Sequence, residues 1–374
     1  MFVKSILSLL ALSVLSIAGC GGHVTSAVAT EPSAKQVKLA AKGTPSFTLW
    51  WSEYPSWSKF GVADKLGLIN GKKGVLGPIE QKYNVDIVLK QADYEPCITA
   101  FGNGQAEGVC ITNMDILSPC LSRPSVAILP TSTSYGADAI IVNNDIKSIA
   151  DLKGKHVYGL EKSVSEYLFA RVLAQAGMKE GDVNFKQQDP GAAAQAMQTG
   201  QKGYDAIVVW EPFVMQTLKT RKGSVHVLAD STKIKGEIID MVVVGADTLA
   251  KPGGEDFAHA IIATCYEVDK WLADVKTSDK AHVELGKKFS NLDADQMREV
   301  LKRCRLFSTA DQGMSVFTDP KLPDVMKQVV DFSVDRKIVE KAPVISYSVG
   351  NKPSPVQANL IFTPRFMSGY DGKK

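Results

Sequence analysis

Residues 151–177 read DLKGKHVYGLEKSVSEYLFARVLAQAG, and this stretch decides the fold. Ser148 to Leu152 is a short helical turn, and His156 to Leu160 is a brief β-type run. After the polar link of Glu161 and Lys162, apolar residues recur at helical spacing from Ser165 to Ala176, and Gly177 stops the helix. A strand that passes through a short loop into a helix is the repeating step of an α/β fold.

The same step recurs in both directions. Downstream, Val183 to Lys186 is a strand, Asp189-Pro190-Gly191 is turn chemistry, Ala192 to Thr199 is a helix ended by Gly200, and Ala206 to Trp210 is a further strand. Val225 to Leu228 and Ile238 to Val244 continue the β pattern, and Glu255 to about Lys341 reads as helical. Upstream, Phe47 to Trp51, Val85 to Leu89 and Gly108 to Thr112 are strands. Helical segments follow at Phe60 to Leu68, Cys97 to Phe101 and Asp115 to Leu121, and Val126 to Leu129 and Asp138 to Val142 close the unit. The pattern predicts two α/β lobes of parallel strands with crossovers near Val142 and Val244. One lobe is expected over 46–143 plus 245–345, the other over 144–244, with a C-terminal extension at 346–374.

Met1 to Cys20 carries Lys4, an apolar run from Ile6 to Ile17, and Ile17-Ala18-Gly19-Cys20. About 12 apolar residues reach ~18 Å, short of the ~30 Å hydrocarbon core, so the segment reads as a cleaved signal peptide over 1–19. Its end resembles the lipobox of bacterial lipoproteins, which implies lipidation of Cys20. Gly21 to Gly43, without an aromatic residue, then serves as a flexible leash within a linker over 20–45. The mature body is expected outside the cytoplasm, on a membrane-anchored lipoprotein.

The 374 residues carry 43 Lys+Arg and 40 Asp+Glu, a net charge of +3, which supplies no electrostatic reason to bind nucleic acid. Cys97, Cys110, Cys120, Cys265 and Cys304 show no zinc spacing. They are either small buried residues or include one disulfide, for which Cys265 and Cys304 are the candidate pair. The five histidines, His23, His156, His226, His259 and His282, form no metal or triad pattern, and G-x-S-x-G, Walker and H-E-x-x-H motifs are absent. No catalytic residue, metal or cofactor is expected, and binding without chemistry is the simpler reading.

In open α/β sheets the ligand lies beyond the carboxyl ends of the strands. The loops there are distinctive. Trp50-Trp51-Ser52-Glu53-Tyr54-Pro55-Ser56-Trp57 packs three of five tryptophans around one carboxylate, which suits a cationic or planar amide-like ligand. Asp93-Tyr94 and Thr112-Asn113-Met114-Asp115 end the next two strands, with Asn113 the better ligand candidate and Asp115 a helix N-cap candidate. The polar crossover contains Tyr135, Gly136 and Asp138. Glu161, Ser163, Val164 and Ser165 bring hydroxyls and a helix N-terminus to the cleft, where Ser163 or Ser165 also serves as the cap. Trp210-Glu211-Pro212 adds another ring and carboxylate.

Taken in order, the lipobox, Asp151-Leu152-Lys153-Gly154-Lys155, Ala174-Gln175-Ala176-Gly177-Met178, Asp182-Val183, Gly200 to Asp205-Ala206 and Trp210-Glu211-Pro212 resemble periplasmic substrate-binding proteins of ABC importers. The nearest group is the nitrate, taurine and sulfonate (NitT/TauT) class. Asp93-Tyr94, Ile111 to Asp115, Tyr135 to Asp138 and Ser163 to Leu168 resemble its urea-carboxylase and guanidine-associated subgroup, although Cys97 stands where serine is expected and Glu211 where Asn is more usual. The resemblance implies a type II periplasmic-binding-protein fold with two hinge crossovers. It further implies capture of a small solute and its delivery to a permease driven by an ATPase; the acid-rich, aromatic cleft points to a small polar, nitrogenous solute, cationic or neutral, and a monomer is expected. A small anion is the rival ligand, and an enzyme of the pyrimidine-synthesis kind is the rival function.

Overall fold

A computed structural model describes residues 37–289, 292–348 and 357–370. The signal segment, the lipobox with Cys20 and most of the expected leash lie outside them. The described chain opens with β1 (Lys38–Leu39), β2 (Ser46–Trp51), α1 (Lys59–Leu66), β3 (Val75–Leu76), α2 (Pro78–Tyr83), β4 (Asp86–Gln91), α3 (Tyr94–Gly102), β5 (Gly108–Thr112), α4 (Leu117–Ser122) and β6 (Ser125–Ser134). Then come β7 (Asp138–Asn143), β8 (His156–Gly159), α5 (Val164–Gln175), β9 (Asn184–Gln187), α6 (Pro190–Gln198), β10 (Ala206–Trp210), α7 (Phe213–Thr220), β11 (Val225–Asp230) and β12 (Ile239–Gly245). The last part comprises α8 (Ala246–Leu249), α9 (Gly254–Ala273), α10 (Ser278–Gly286), α11 (Ala294–Arg303), β13 (Cys304–Leu306), α12 (Ala310–Phe317), α13 (Leu322–Asp335), β14 (Ile345–Tyr347) and β15 (Leu360–Phe362).

Two main sheets result. The first runs β14-β15-β6-β12-β5-β2-β4, with β13 also on β6, and the second runs β11-β7-β10-β8-β9. Both are mixed rather than parallel, since β12 is antiparallel to β5 and β6, and β7 to β10 and β11. Strands β5, β10 and β12 are buried at every residue, which is why they read as continuous apolar runs.

The chain passes between sheets after Ser134 and returns after Asp230. The expected crossovers near Val142 and Val244 are therefore displaced: β7 belongs with the second sheet and β12 is a central strand of the first. The error follows from assuming parallel strands, because an antiparallel strand can re-enter the sheet with no helix to announce the change. Two smaller differences concern the termini. Residues 38–39 already pair with Val75–Leu76, so ordered pairing begins within the expected 20–45 linker. In the expected extension, β15 pairs with β6 inside the first sheet.

Helices cover the sheets through apolar faces. Helix α1 meets α9, where the buried Lys59 Nζ donates to both carboxylate oxygens of buried Asp269 at 3.0 and 2.9 Å. All five cysteines of the body are buried and free, so Cys265 and Cys304 are not paired.

Candidate functional site

Where the two sheets face each other, their edges enclose a box. From the first sheet come Tyr54 and Trp57 after β2, Tyr94 at the start of α3, Thr112 at the end of β5, and Ile238 and Asp240 at the start of β12. From the second come Asp138 at the start of β7, Val164 at the start of α5 and Trp210 at the end of β10. Register explains the convergence. Asp240 is paired with Thr112, and Asp138 with Trp210, so each antiparallel strand delivers a carboxylate beside the end of its neighbour.

Four rings form one continuous series. Trp57 stacks on Tyr94 at a centroid distance of 5.4 Å, lies 4.9 Å from Tyr54, and Tyr94 meets Trp210 edge-on at 5.7 Å. The box is narrow, with about 260 Å³ of space between the atoms that line it.

Four buried carboxylates lie in or against the box. Asp138 is pushed up to about 7 by burial, and Asp240 well above the usual carboxylate range for the same reason, even though Ser132 Oγ donates to it. Burial also raises Asp115 to about 6, although Tyr94 Oη and Thr112 Oγ1 donate to its Oδ2 at 2.7 and 2.8 Å. Glu211 is raised by burial to about 7 against the pull of Arg303, whose Nη1 lies 3.3 Å from Glu211 Oε1. Several buried polar atoms have no hydrogen-bond partner: Trp57 Nε1, Tyr54 Oη, Asp115 Oδ1 and Ser165 Oγ. Tyr54 lies near Asp240 and Cys304 without a hydrogen bond of normal geometry. Buried polar groups are normally satisfied, and among the described residues Tyr54 and Trp57 are the two of these that line the box.

Outside the box, sharing Tyr94 and Trp210 with it, opens a vestibule of about 780 Å³ whose lining includes Ser52, Glu53, Asp93, Glu95, Asp189 and Phe213. Gln91 Nε2 donates to Glu53 Oε1 at 3.1 Å, and burial raises the Glu53 carboxyl. The vestibule is thus rimmed by acids.

The structure does not bring every expected residue to the box. Trp51 points to the other side of β2, against Gly61 of α1, as strand alternation requires. Trp50 does not line the box either. Asn113 is fully used in structure, its Oδ1 accepting from Ile239 N at 2.9 Å and its Nδ2 donating to Glu237 O at 3.0 Å. Met114 is buried in the core. Asp115 is not an N-cap, since α4 starts at Leu117 and Ile116 occupies the cap position. Tyr135 sits under Arg305 and Lys235, at 4.3 and 5.4 Å from its ring centroid. Gly136 takes a left-handed φ of 102° and donates its N–H to Ser231 Oγ. Ser163 is the cap of α5, accepting from Ser165 N at 3.1 Å. Glu161 and Ser163 line a separate crevice with Asp115.

Sequence reasoning missed Asp240, and quoted Asp138 without weighing it as a contact. Both interrupt or open apolar β runs, Ile238-Ile239-Asp240-Met241 and Asp138-Ala139-Ile140. A carboxylate there is costly unless it has a purpose.

Two mixed α/β sheets linked by two crossovers and closed on a shared cavity define the periplasmic-binding-protein architecture. The comparisons agree with it. A sequence profile described as NMT1/THI5 like matches residues 126–251. A protein of Escherichia coli (strain K12) described as an aliphatic sulfonates-binding protein is 27% identical over 237 residues, which is 63% of this chain and 61% of that protein. The chain therefore spans about six-tenths of the length of that curated relative. Solved structures of similar fold include the periplasmic aliphatic sulphonate binding protein of Escherichia coli (TM-score 0.63, 21% identity, 80% of this chain and 94% of that one). The alkanesulfonate-binding protein of Xanthomonas axonopodis pv. citri, bound to MOPS, follows with TM-score 0.62, 16% identity and coverage of 79% and 94%. The periplasmic nitrate-binding protein of Synechocystis PCC 6803 has TM-score 0.54, 12% identity and coverage of 80% and 89%.

Proposed function

We propose that this chain is an extracytoplasmic solute-binding protein of an ABC importer, which captures a small nitrogenous solute in the box between its sheets and delivers it to a permease. The observation that carries this reading is the box itself: its walls come from both sheets, so contacts to a solute are complete only when the sheets are together. A ligand favours closure by the difference in its affinity for the two arrangements. The binding-protein relatives support a receptor rather than an enzyme, and no histidine lines the box among the described residues.

The anion reading has the sulfonate- and nitrate-binding relatives on its side, together with the N-terminus of α5 beside Val164. Against it, no Lys or Arg lines the box among the described residues, while two carboxylates do. Cys20 is proposed as the lipid attachment point, with the mature chain held at a membrane as a monomer.

Thermal-shift measurements with urea, guanidinium, taurine and nitrate test the receptor, and small-angle scattering with and without the best binder tests closure. A raised melting temperature with a smaller radius of gyration is expected for a nitrogenous probe. Stabilisation by taurine or nitrate alone would replace the nitrogenous reading with the anion reading. Intact-mass analysis of membrane-extracted protein checks Cys20, where the unacylated mass would remove the anchor.

A further inference from the structure

The box presents a charge problem that the receptor reading leaves open. Asp138 begins a strand of the second sheet and Asp240 a strand of the first, and both are buried and line one narrow cavity. Asp115 and Glu211 stand beside them, each acting on Asp138 or Asp240 through its charge. The groups facing these acids are Tyr54, Tyr94, Cys304 and Arg303, of which Arg303 alone brings positive charge, by way of Glu211. The N-terminus of α5 adds the equivalent of roughly half a positive charge. Fully ionised, the four carboxylates would leave about two and a half negative charges unbalanced among buried side chains, which is costly. Without a ligand, protons must balance them.

We propose that the box takes one compact organic cation carrying N–H donors and gives up a proton in exchange, with Asp138 and Asp240 closing on the ligand from opposite sheets. This rests on the receptor reading and deepens it by fixing the ligand's charge. Three features favour such a cation. The Trp57, Tyr94 and Trp210 faces attract positive charge. Both carboxylates accept, so N–H donors satisfy them where a quaternary ammonium would not. The small space admits a head of only a few heavy atoms. Burial holds the acids partly protonated near neutral pH, and an arriving cation makes their ionised forms favourable, so the displaced proton leaves to bulk water. The acids rimming the vestibule, Glu53, Asp93, Glu95 and Asp189, raise the local concentration of cations at the entrance.

The sign of the linkage follows. The acids titrate lower with the cation bound than without it, so affinity rises with pH up to the ligand-free titration range and levels off above it. Titration calorimetry of the full mature chain with guanidinium chloride, in two buffers of different ionisation enthalpy and between about pH 5.5 and 8, reads both affinity and proton count. The expected result is release of up to about one proton near neutrality and an affinity that increases by up to about tenfold per pH unit on the acid side. Asp138→Asn and Asp240→Asn are expected to lose most of the affinity, and the wild-type pH series stands without them should either variant misfold. Guanidinium binding that is independent of pH and buffer overturns the exchange. Binding of urea or taurine without guanidinium overturns the cation and leaves the receptor standing. Binding of none of the three, with no change in scattering, overturns the inference and the receptor together.

Discussion

Asp138 shows how one residue can carry both a stability cost and a function. Its folded-state titration lies near 7 against an ordinary value of 3.8, so its neutral form is the one the fold favours. That contribution is fully present below about pH 4 and is lost as pH rises through about 7. Asp138→Asn keeps a neutral side chain of the same shape, so the variant is expected to be more stable than wild type at about pH 8 and close to it at about pH 4, as read by urea unfolding at both values. A variant less stable at the higher pH would mean that Asp138 is ionised and paired there. The aromatic half of the site was legible in the sequence: eight residues with three Trp and a Tyr after a strand gave Tyr54 and Trp57 directly. The acidic half was not. The rule that ligands lie beyond carboxyl ends of strands directs attention away from strand beginnings, and only the antiparallel pairing of β7 and β12 turns Asp138 and Asp240 to the same edge.

At the scale of elements, α1 and α9 are joined by the Lys59–Asp269 pair, buried on both sides. Removing one partner strands a charge, and Lys59→Met is expected to cost about 3–5 kcal/mol, whereas Lys59→Met with Asp269→Leu recovers most of the loss because two apolar side chains need no solvation. Chemical denaturation of the three proteins checks this, and a double variant as unstable as the single one would contradict it. Helix α5 shows what element reading achieves. Its end before Gly177 follows from local chemistry, whereas its start lies one residue before the expected Ser165 and the cap, open between Ser163 and Ser165 in the sequence, is Ser163. The strand order does not, because which strand lies beside β6 or β10 depends on pairing between residues a hundred positions apart, such as Asp240 with Ser132. Local patterns carry no record of that choice. Likewise β13 interrupts a stretch read as helical, since its three residues are too few to show a period of two.

At the scale of the whole molecule, the return crossover is tied down at Glu237. Its carboxylate accepts from Tyr167 and from Arg171 on α5, the latter through Nε at 3.0 Å and Nη2 at 2.9 Å, and from Gln328 Nε2 on α13 at 3.2 Å. Arg336, just past α13, also pairs with Glu180. None of these tied side chains lines the box among the described residues, so they bias the sheets toward each other without contacting a solute there. Arg171→Ala is expected to weaken every bound solute by a common factor, about three- to tenfold, while box substitutions reorder the solutes. Calorimetry with two probes distinguishes them, and a factor that differs between probes would show Glu237 acting on recognition.

The buried thiols have a consequence for handling and observation. Burial raises Cys97, Cys120 and Cys265 to about 12, and Cys110 and Cys304 also well above their ordinary value. Five sulfurs spread through the body therefore act as silent clocks: an alkylating reagent adds mass only while the surrounding chain is open. Counting adducts by mass against time should give an all-or-none pattern for global unfolding, and a partial pattern at Cys304 first if the region beside Tyr54 and Glu211 opens alone. Because no cross-link among these five has to be formed, refolding should proceed equally well in reducing and in non-reducing buffer.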